Sequence, residues 1–305
     1  MIFGLALSPS LDVTYLVDDL QLGQISVPTR VVQSAGGKTL NAVRVAAQLG
    51  SAVSVVAVLG GHTGSRVASL LEPSGIRLTL IDAGAETRTC VSVFSASVPG
   101  LTELYAPAAP LTDAAWRDCL TSFTDLGLAE GDWLLLAGSV PAGVPLAELA
   151  AALREYRDRG VRVAVDTHGL ALAAIIAAKA VDLVKVNRSE AAALLGKGLS
   201  LDELTMRLKT AAGAIAVVTD GIDGSAAADA GNSFRVEPDA ATGSFPVGSG
   251  DSYFGGLVHG LDEGMPPADA LRLAASCASA NAVEPGAGVL DLATVELIRA
   301  RIKVT

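Results

Sequence analysis

Short apolar runs of β type alternate with longer Ala/Leu-rich stretches of helical period along most of this chain. Ile2–Leu7, Val53–Val58, Trp133–Ala137, Val161–Asp166, Leu183–Val186 and Ile215–Thr219 read as strands. Each is apolar with little polar alternation, as expected of strands covered on both faces. Helical patterns lie between them at about Lys38–Leu49, Ser65–Leu71, Leu146–Asp158, Leu170–Ala178 and Leu201–Ala212. The alternation predicts an α/β protein with a mainly parallel sheet and helices on both faces. Past it, helical patterns dominate, at about Ser249–Leu261, Ala268–Val283 and Leu292–Lys303. Two segments leave the alternation and return to it, Asp12–Ser34 and Thr87–Pro107. Both hold short β-type runs with Pro, Gly and Thr. They are either a small extra sheet covering a site or two ordinary surface excursions. No internal repeat or low-complexity linker interrupts the chain.

Composition supports a folded core. Half of the 305 residues are hydrophobic and 18% are charged, which excludes a disordered chain. The bulk is Ala, Val, Leu and Gly, which suits buried strands under closely packed helices. The formal net charge of -10 argues against a nucleic-acid partner, because phosphate backbones are bound by Lys and Arg. It does not exclude a small anionic substrate, since one local cluster reverses the field in a cleft. Cys90, Cys119 and Cys277 are far apart, and so are His62, His168 and His259. Neither a disulfide framework nor a zinc site is expected. The N-terminus lacks a basic leader, and no run of about 18 apolar residues reads as a membrane span. The expectation is a soluble cytoplasmic protein.

Against this background four segments stand out, three of them containing glycine. In Gly248-Ser249-Gly250-Asp251, two glycines permit a tight turn with exposed N–H groups just before an apolar helix. Such a helix start receives a phosphate or a developing oxyanion. Asp251, in the first turn, is suited to take a proton from an attacking hydroxyl. The same segment also serves as a glycine turn with an acidic helix cap. Gly36-Gly37-Lys38-Thr39-Leu40-Asn41 ends like a Walker A loop, but that pattern requires glycine where Val32 stands. What remains is a diglycine helix entry with Lys38 and Asn41 near its start, either structural or suited to a polyhydroxylated or anionic ligand. Lys185-Val186-Asn187-Arg188-Ser189-Glu190 follows a strand. Asn187 and Glu190 would share a helix face there, as a reciprocal cap or as oxygen donors to a hydrated Mg²⁺. Thr219-Asp220-Gly221-Ile222-Asp223-Gly224 makes a turn where open sheets bind ligands. Asp12, Arg88 and Ser139 lie at strand ends or in the excursions.

Taken together, these motifs are similar in order and spacing to those of the ribokinase-like (PfkB) carbohydrate kinases. Leu7-Ser8-Pro9-Ser10-Leu11-Asp12, Gly36-Gly37-Lys38, Thr87-Arg88 and Leu136-Ala137-Gly138-Ser139-Val140-Pro141 resemble the branch holding 1-phosphofructokinase and tagatose-6-phosphate kinase. Val165-Asp166-Thr167 fits it too. Asn187–Glu190 matches the family's N-x-x-E motif, and Gly248–Asp251 its G-[AS]-G-D signature. The resemblance implies one three-layer α/β/α domain over residues 1–305, with a β lid built from about 12–34 and 87–107. It implies transfer of the γ-phosphoryl group of ATP to a sugar hydroxyl. Asp251 would be the base, and Gly248, Ser249 and Gly250 would stabilise charge on the transferring group. Asn187 and Glu190 would organise Mg²⁺ through water. Lys185, Asn187, Thr219, Gly221, Gly224, Gly248 and Gly250 would line the nucleotide site. Asp12, Gly37, Lys38, Asn41 and Ser139 would hold the sugar, with Arg88 on a substrate phosphate.

The chain departs from the branch at Ser8 and Cys90, where Asn is frequent, at Thr39-Leu40, at Val186 and at Tyr105. Ser8, Thr39, Cys90 and Tyr105 are expected near the sugar pocket, so the preferred sugar is open. The expected substrate is a phosphorylated ketohexose. The alternatives are an unphosphorylated sugar or nucleoside, or a sugar- or nucleotide-binding regulator without catalysis. A homodimer through the lid is a further expectation. An oxidoreductase is disfavoured, because no G-x-G-x-x-G follows the first strand.

Overall fold

The computed structural model describes residues 1–97, 100–124, 126–238 and 243–305. Val98 and Pro99, within the second excursion, lie outside the described residues. The chain opens with β1 (Ile2–Ala6), β2 (Ser10–Val17), β3 (Arg30–Gly36) and α1 (Lys38–Gln48). Next come β4 (Val53–Leu59), α2 (Gly61–Leu71), β5 (Arg77–Asp82), β6 (Arg88–Ser95), β7 (Leu101–Tyr105) and α3 (Asp113–Thr124). The middle holds β8 (Trp133–Ala137), α4 (Leu146–Asp158), β9 (Arg162–Asp166), α5 (Gly169–Ala177), β10 (Leu183–Asn187), α6 (Arg188–Leu195) and α7 (Leu201–Ala212). β11 (Ile215–Thr219), β12 (Ser225–Ala228), β13 (Ser233–Glu237), α8 (Ser249–Asp262), α9 (Pro267–Asn281), α10 (Leu292–Arg299) and β14 (Lys303–Val304) complete it.

The apolar runs form one sheet in the order β14-β13-β12-β11-β10-β9-β8-β1-β4-β5. From β11 to β5 neighbouring strands run parallel, and β12, β13 and β14 add an antiparallel edge. Successive residues feed opposite faces. Trp133, Leu135 and Ala137 join a core under α1, α2, α8, α9 and α10, whereas Leu134 and Leu136 join one under α3 to α7. Helix, sheet and helix layers follow, as the alternation predicts.

Both excursions form strands, and these make a separate sheet in the order β3-β2-β6-β7. β2 and β6 pair in parallel from Ser10↔Arg88 to Val17↔Ser95. The first excursion leaves the carboxyl end of β1 and returns at α1. There the strand order reverses, because β1 lies between β4 and β8. Ligands of open α/β sheets bind outside the carboxyl ends of the strands at such a point. Thr39 pins it: its hydroxyl donates to the Leu5 or Ala137 carbonyl (3.1 and 2.9 Å) and accepts from the Ala137 N–H at 2.9 Å. Thr39 therefore joins β1 to β8 and is buried there.

The structure moves the bounds of some predicted elements. α2 begins at Gly61, before the predicted Ser65, in a turn whose glycines carry no apolar pattern. The last helical pattern does not persist to Lys303. α10 stops at Arg299, and Lys303 and Val304 pair instead with Glu237 and Val236. β5, β12, β13, α3 and α6 have no counterpart among the predicted elements. β12 reads Ser-Ala-Ala-Ala, a strand only because β11 and β13 flank it.

Candidate active site

Gly248 caps α8 at φ 81°, a left-handed conformation, and a Cβ there would stand 2.6 Å from that of Ala287. Glycine is thus required on both counts. The turn is held from behind by Asn281, which is fully buried. Its amide nitrogen donates to the Val247 carbonyl at 2.8 Å, and its oxygen accepts from the Gly288 N–H at 2.7 Å and the Ser252 hydroxyl at 3.1 Å. Asp251 sits in the first turn of α8, buried, and accepts a hydrogen bond from Asn41 Nδ2 at 2.8 Å. Burial raises its pKa above the ordinary carboxylate value, Lys38 opposes that rise, and Asp166 adds to it.

Two lysines meet one carboxylate beside this helix start. Asp166, at the end of β9, is 0% exposed. Lys185 Nζ donates to its Oδ2 at 2.6 Å and Lys38 Nζ to its Oδ1 at 2.9 Å. Burial pushes the Asp166 carboxyl upward, but the two ammonium groups outweigh it and hold the group below its ordinary value. Burial likewise works against the Lys38 charge, and the fields of Asp166, Asp251 and Glu190 overcome it, raising its pKa. Lys38 also donates to Glu190 Oε1 at 3.3 Å. Two lysines against Asp166 and Glu190 leave the cluster formally neutral. A Cβ on Gly250 would lie 3.0 Å from Lys185 Nζ, so the Lys185 ammonium borders the glycine turn.

Asn187 and Glu190 form the reciprocal cap that their spacing allows. Asn187 Oδ1 accepts from the Glu190 N–H, and Glu190 Oε2 from the Asn187 N–H, both at 2.9 Å. Among the described residues no group of three or more His, Cys, Asp or Glu could hold a metal. Mg²⁺ keeps several waters and takes phosphate oxygens, so a full protein cage is not required. The Glu190 carboxylate retains acceptor capacity and fits water-mediated contact with such an ion, whereas Asn187 Oδ1 already accepts from the Ser189 hydroxyl and the Glu190 N–H.

Two hollows flank the glycine turn. The larger encloses about 860 Å³ including its open mouth. Thr219, Gly221, Gly224, Ser249 and Gly250 line it, as does Ile222, which is 74% exposed. The opposite wall is α9, through Ala275, Ala278, Ser279 and Ala282. That wall went unread in the sequence, although small residues at i, i+3, i+4 and i+7 mark a shallow helix face. The smaller hollow lies between the second sheet and the segment before α8. Asp12, Cys90, Tyr105, Phe245, Val247 and Ala287 border it. Asp12, Cys90 and Tyr105 stand in one row across β2, β6 and β7. Burial lifts the Asp12 pKa to about 6 against a 2.6 Å hydrogen bond from Ser10. A Cβ on Gly36 would come within 2.0 Å of the Asp12 carboxyl carbon, so only glycine leaves room for it.

Of the remaining sequence candidates, Arg88 turns its guanidinium onto backbone carbonyls, those of Ser8 at 3.1 Å and Ala106 at 3.3 Å. Ser8 Oγ is buried with no hydrogen-bond partner among the described residues. Gly37 begins α1 at φ 99°, and Lys38 follows it into the cluster. Ser139 is exposed after β8, next to Gly138, which faces the stem of Lys38. Two residues escape the sequence reading as site members. Asp166 stands there only as the end of a strand within a family motif, and Arg44 only as a member of a helix.

Two lysines beside a glycine-rich helix start, a buried carboxylate and two adjoining hollows are the parts a phosphotransferase of α/β class requires. The chain belongs to the pfkB family of carbohydrate kinases, whose model matches residues 1–293. The fold is ribokinase-like. It is similar to Escherichia coli phosphofructokinase-2 in complex with substrates and products, at 26% identity and TM-score 0.92, over 98% of each chain. The same enzyme in complex with potassium superimposes with TM-score 0.90, at 26% identity and over 98% of each chain. A Thermotoga maritima protein described as a possible 1-phosphofructokinase shares the fold, with TM-score 0.89 at 20% identity, over 100% of this chain and 98% of that one. Sugar kinases of this family use ATP and typically a divalent metal. No helix among the described residues is long and apolar enough to cross a membrane.

Proposed function

We propose that the protein transfers the γ-phosphoryl group of ATP to a hydroxyl of a sugar phosphate, of the fructose 1-phosphate, fructose 6-phosphate or tagatose 6-phosphate class. The observation that carries this reading is Asp251, buried at the helix start whose Ser249 and Gly250 line the larger hollow. ATP would occupy that hollow along Thr219, Gly221 and Gly224, with Lys185 and Asn187 toward its phosphates. The sugar would bind beside Asp12, which borders the smaller hollow, and would be held by Gly37, Lys38, Asn41 and Ser139, with Arg88 toward its phosphate. Asp251, as base, accepts the proton of the attacking hydroxyl. The Gly248–Gly250 N–H groups and the α8 dipole stabilise charge on the transferring group. Mg²⁺ would neutralise charge on the β- and γ-phosphates, with Asn187 and Glu190 holding its waters.

A coupled assay of ADP release over a panel of sugars and sugar phosphates tests this reading. Asp251→Asn should retain nucleotide binding and lose on the order of 10²–10⁴ in turnover. Unchanged turnover would remove the base assignment. An unphosphorylated acceptor is the second reading, and the Arg88 geometry favours it, because its N–H groups already meet backbone carbonyls. Arg88→Ala should raise KM steeply for a sugar phosphate and little for a neutral sugar. A regulator without catalysis would bind both ligands and turn over neither.

A further inference from the structure

Arg44 lies inside α1 and is 8% exposed, yet among the described residues no carboxylate touches it. Its guanidinium is surrounded by oxygen acceptors. Nε donates to the Gly288 carbonyl at 3.0 Å, Nη1 to the Ala35 carbonyl at 2.7 Å, and Nη2 to the Ala287 carbonyl and to Asn41 Oδ1, the latter at 2.7 Å. Asn41 stands three residues earlier on the same helix face and passes its amide nitrogen to Asp251. A guanidinium carries only donors, so it can meet the amide only through its oxygen. The opposite edge, turned toward Asp251, must then be the NH₂ group. An ionised Asp251 also selects the NH₂ edge, but a protonated one could donate to the amide oxygen, and Arg44 holds that oxygen away from it.

We propose that Arg44 is a positioning residue, which locks the Asn41 amide so that it donates to Asp251 and holds that carboxylate ready to accept a proton. This rests on the kinase reading for its catalytic consequence, though not for its geometry. The same guanidinium grips Ala287 and Gly288, and Ala287 is the residue against which Gly248 is packed. Arg44 therefore joins the base and the glycine turn to one rigid point. Burial lowers the Arg44 pKa to about 10, and the fields of Asp12 and Asp251 resist that fall. The cation is thus kept beside the site by carboxylates it does not touch.

Other groups act on Asp251 from the surrounding elements: Lys38 on α1, Asp166 on β9 and Lys185 on β10, with Asp12 of β2 within its field. A change in its titration must therefore be traced to the relay and not to net charge alone. Arg44→Met removes both the lock and a positive charge. Asn41→Leu removes the donor and leaves the charge in place.

The test compares Arg44→Met, Asn41→Leu and the double variant. The first readout is the ¹³C titration of the Asp251 carboxyl carbon, assigned by its loss in Asp251→Asn. The second is the pH profile of kcat on the best acceptor. Each single variant should move the Asp251 titration to higher pH and shift the acid limb of kcat the same way. Each should lower kcat on the order of 10²-fold, with KM for ATP within about threefold. The double variant should do no worse than the more damaging single change, because the two residues act in series. An unmoved titration in Asn41→Leu, or losses that multiply in the double variant, would overturn the proposal. Should Arg44→Met fail to fold, Asn41→Leu decides alone, since Arg44 stays in its carbonyl cage. A wild-type protein inactive on every acceptor would count against the kinase reading, and the titration would still decide the relay.

Discussion

Burial raises the Asp12 carboxyl to about 6 from an ordinary value of 3.8, which makes this residue a source of strain in the ligand-free protein. The sign follows from linkage. The folded state disfavours the ionised form, so the penalty is absent below about pH 4, grows through the window from about 4 to about 6, and is complete above it. Two pKa units correspond to roughly 3 kcal/mol, an upper figure. Asp12→Asn should therefore raise Tm at about pH 8 by a few degrees relative to wild type and leave it unchanged at about pH 4. It should also weaken the acceptor's KM. Thermal melts across that window check the first half, and a loss of stability in the alkaline melts would contradict the burial argument. Residues of this kind differ in how visible they are in the sequence. Asp251 and Lys38 are legible because glycines beside them announce a helix start. Asp166 is not, because its two lysine partners lie 128 and 19 residues away and only the fold gathers them. Arg44 is hidden between Val43 and Val45, where a cation inside an apolar helix face is the one available signal.

At the scale of elements, α6 shows how one motif carries two readings. Asn187 and Glu190 cap the helix reciprocally, as the spacing foretells, and the proposed function also gives them the waters of a metal ion. Substitution separates the roles. Asn187→Ala removes the cap and should cost about 1 kcal/mol of stability. Asn187→Ser keeps a capping oxygen and should restore most of that loss. If Asn187 also orders metal-bound water, both variants should need more Mg²⁺ for half-maximal turnover, whereas a pure cap predicts a normal requirement for the Ser variant. Titrating Mg²⁺ in the coupled assay reads the difference. The strands under the site are legible for a simpler reason: runs buried on both faces carry no polar alternation to confuse. Edge elements are not, since β12 and β14 are strands through pairing and carry little pattern of their own.

At the scale of the whole molecule, the two excursions become one sheet fastened to the main body at the carboxyl ends of β1 and β5. Phe94 of β6 meets Phe245, just before the glycine turn, at a ring-centroid distance of 5.0 Å. This contact joins the second sheet to the segment before α8. The connection between β2 and β3 is different. Leu22 and Ile25 are each 96% exposed there and Val27 is 81% exposed, although a soluble surface rarely gathers large apolar residues so closely. A second copy of the chain would cover them, and an isologous contact would use the same patch twice. The expected outcome is a dimer in sedimentation equilibrium, converted to monomer by Leu22→Asp with Ile25→Asp. Because those residues are remote from Asp251 in the sequence and belong to the second sheet's connection, the monomer should keep its fold. Its acceptor KM should rise if the partner helps to hold the lid over the sugar. A wild-type monomer at micromolar concentration would leave the exposed apolar cluster without this explanation and remove the lid-mediated dimer.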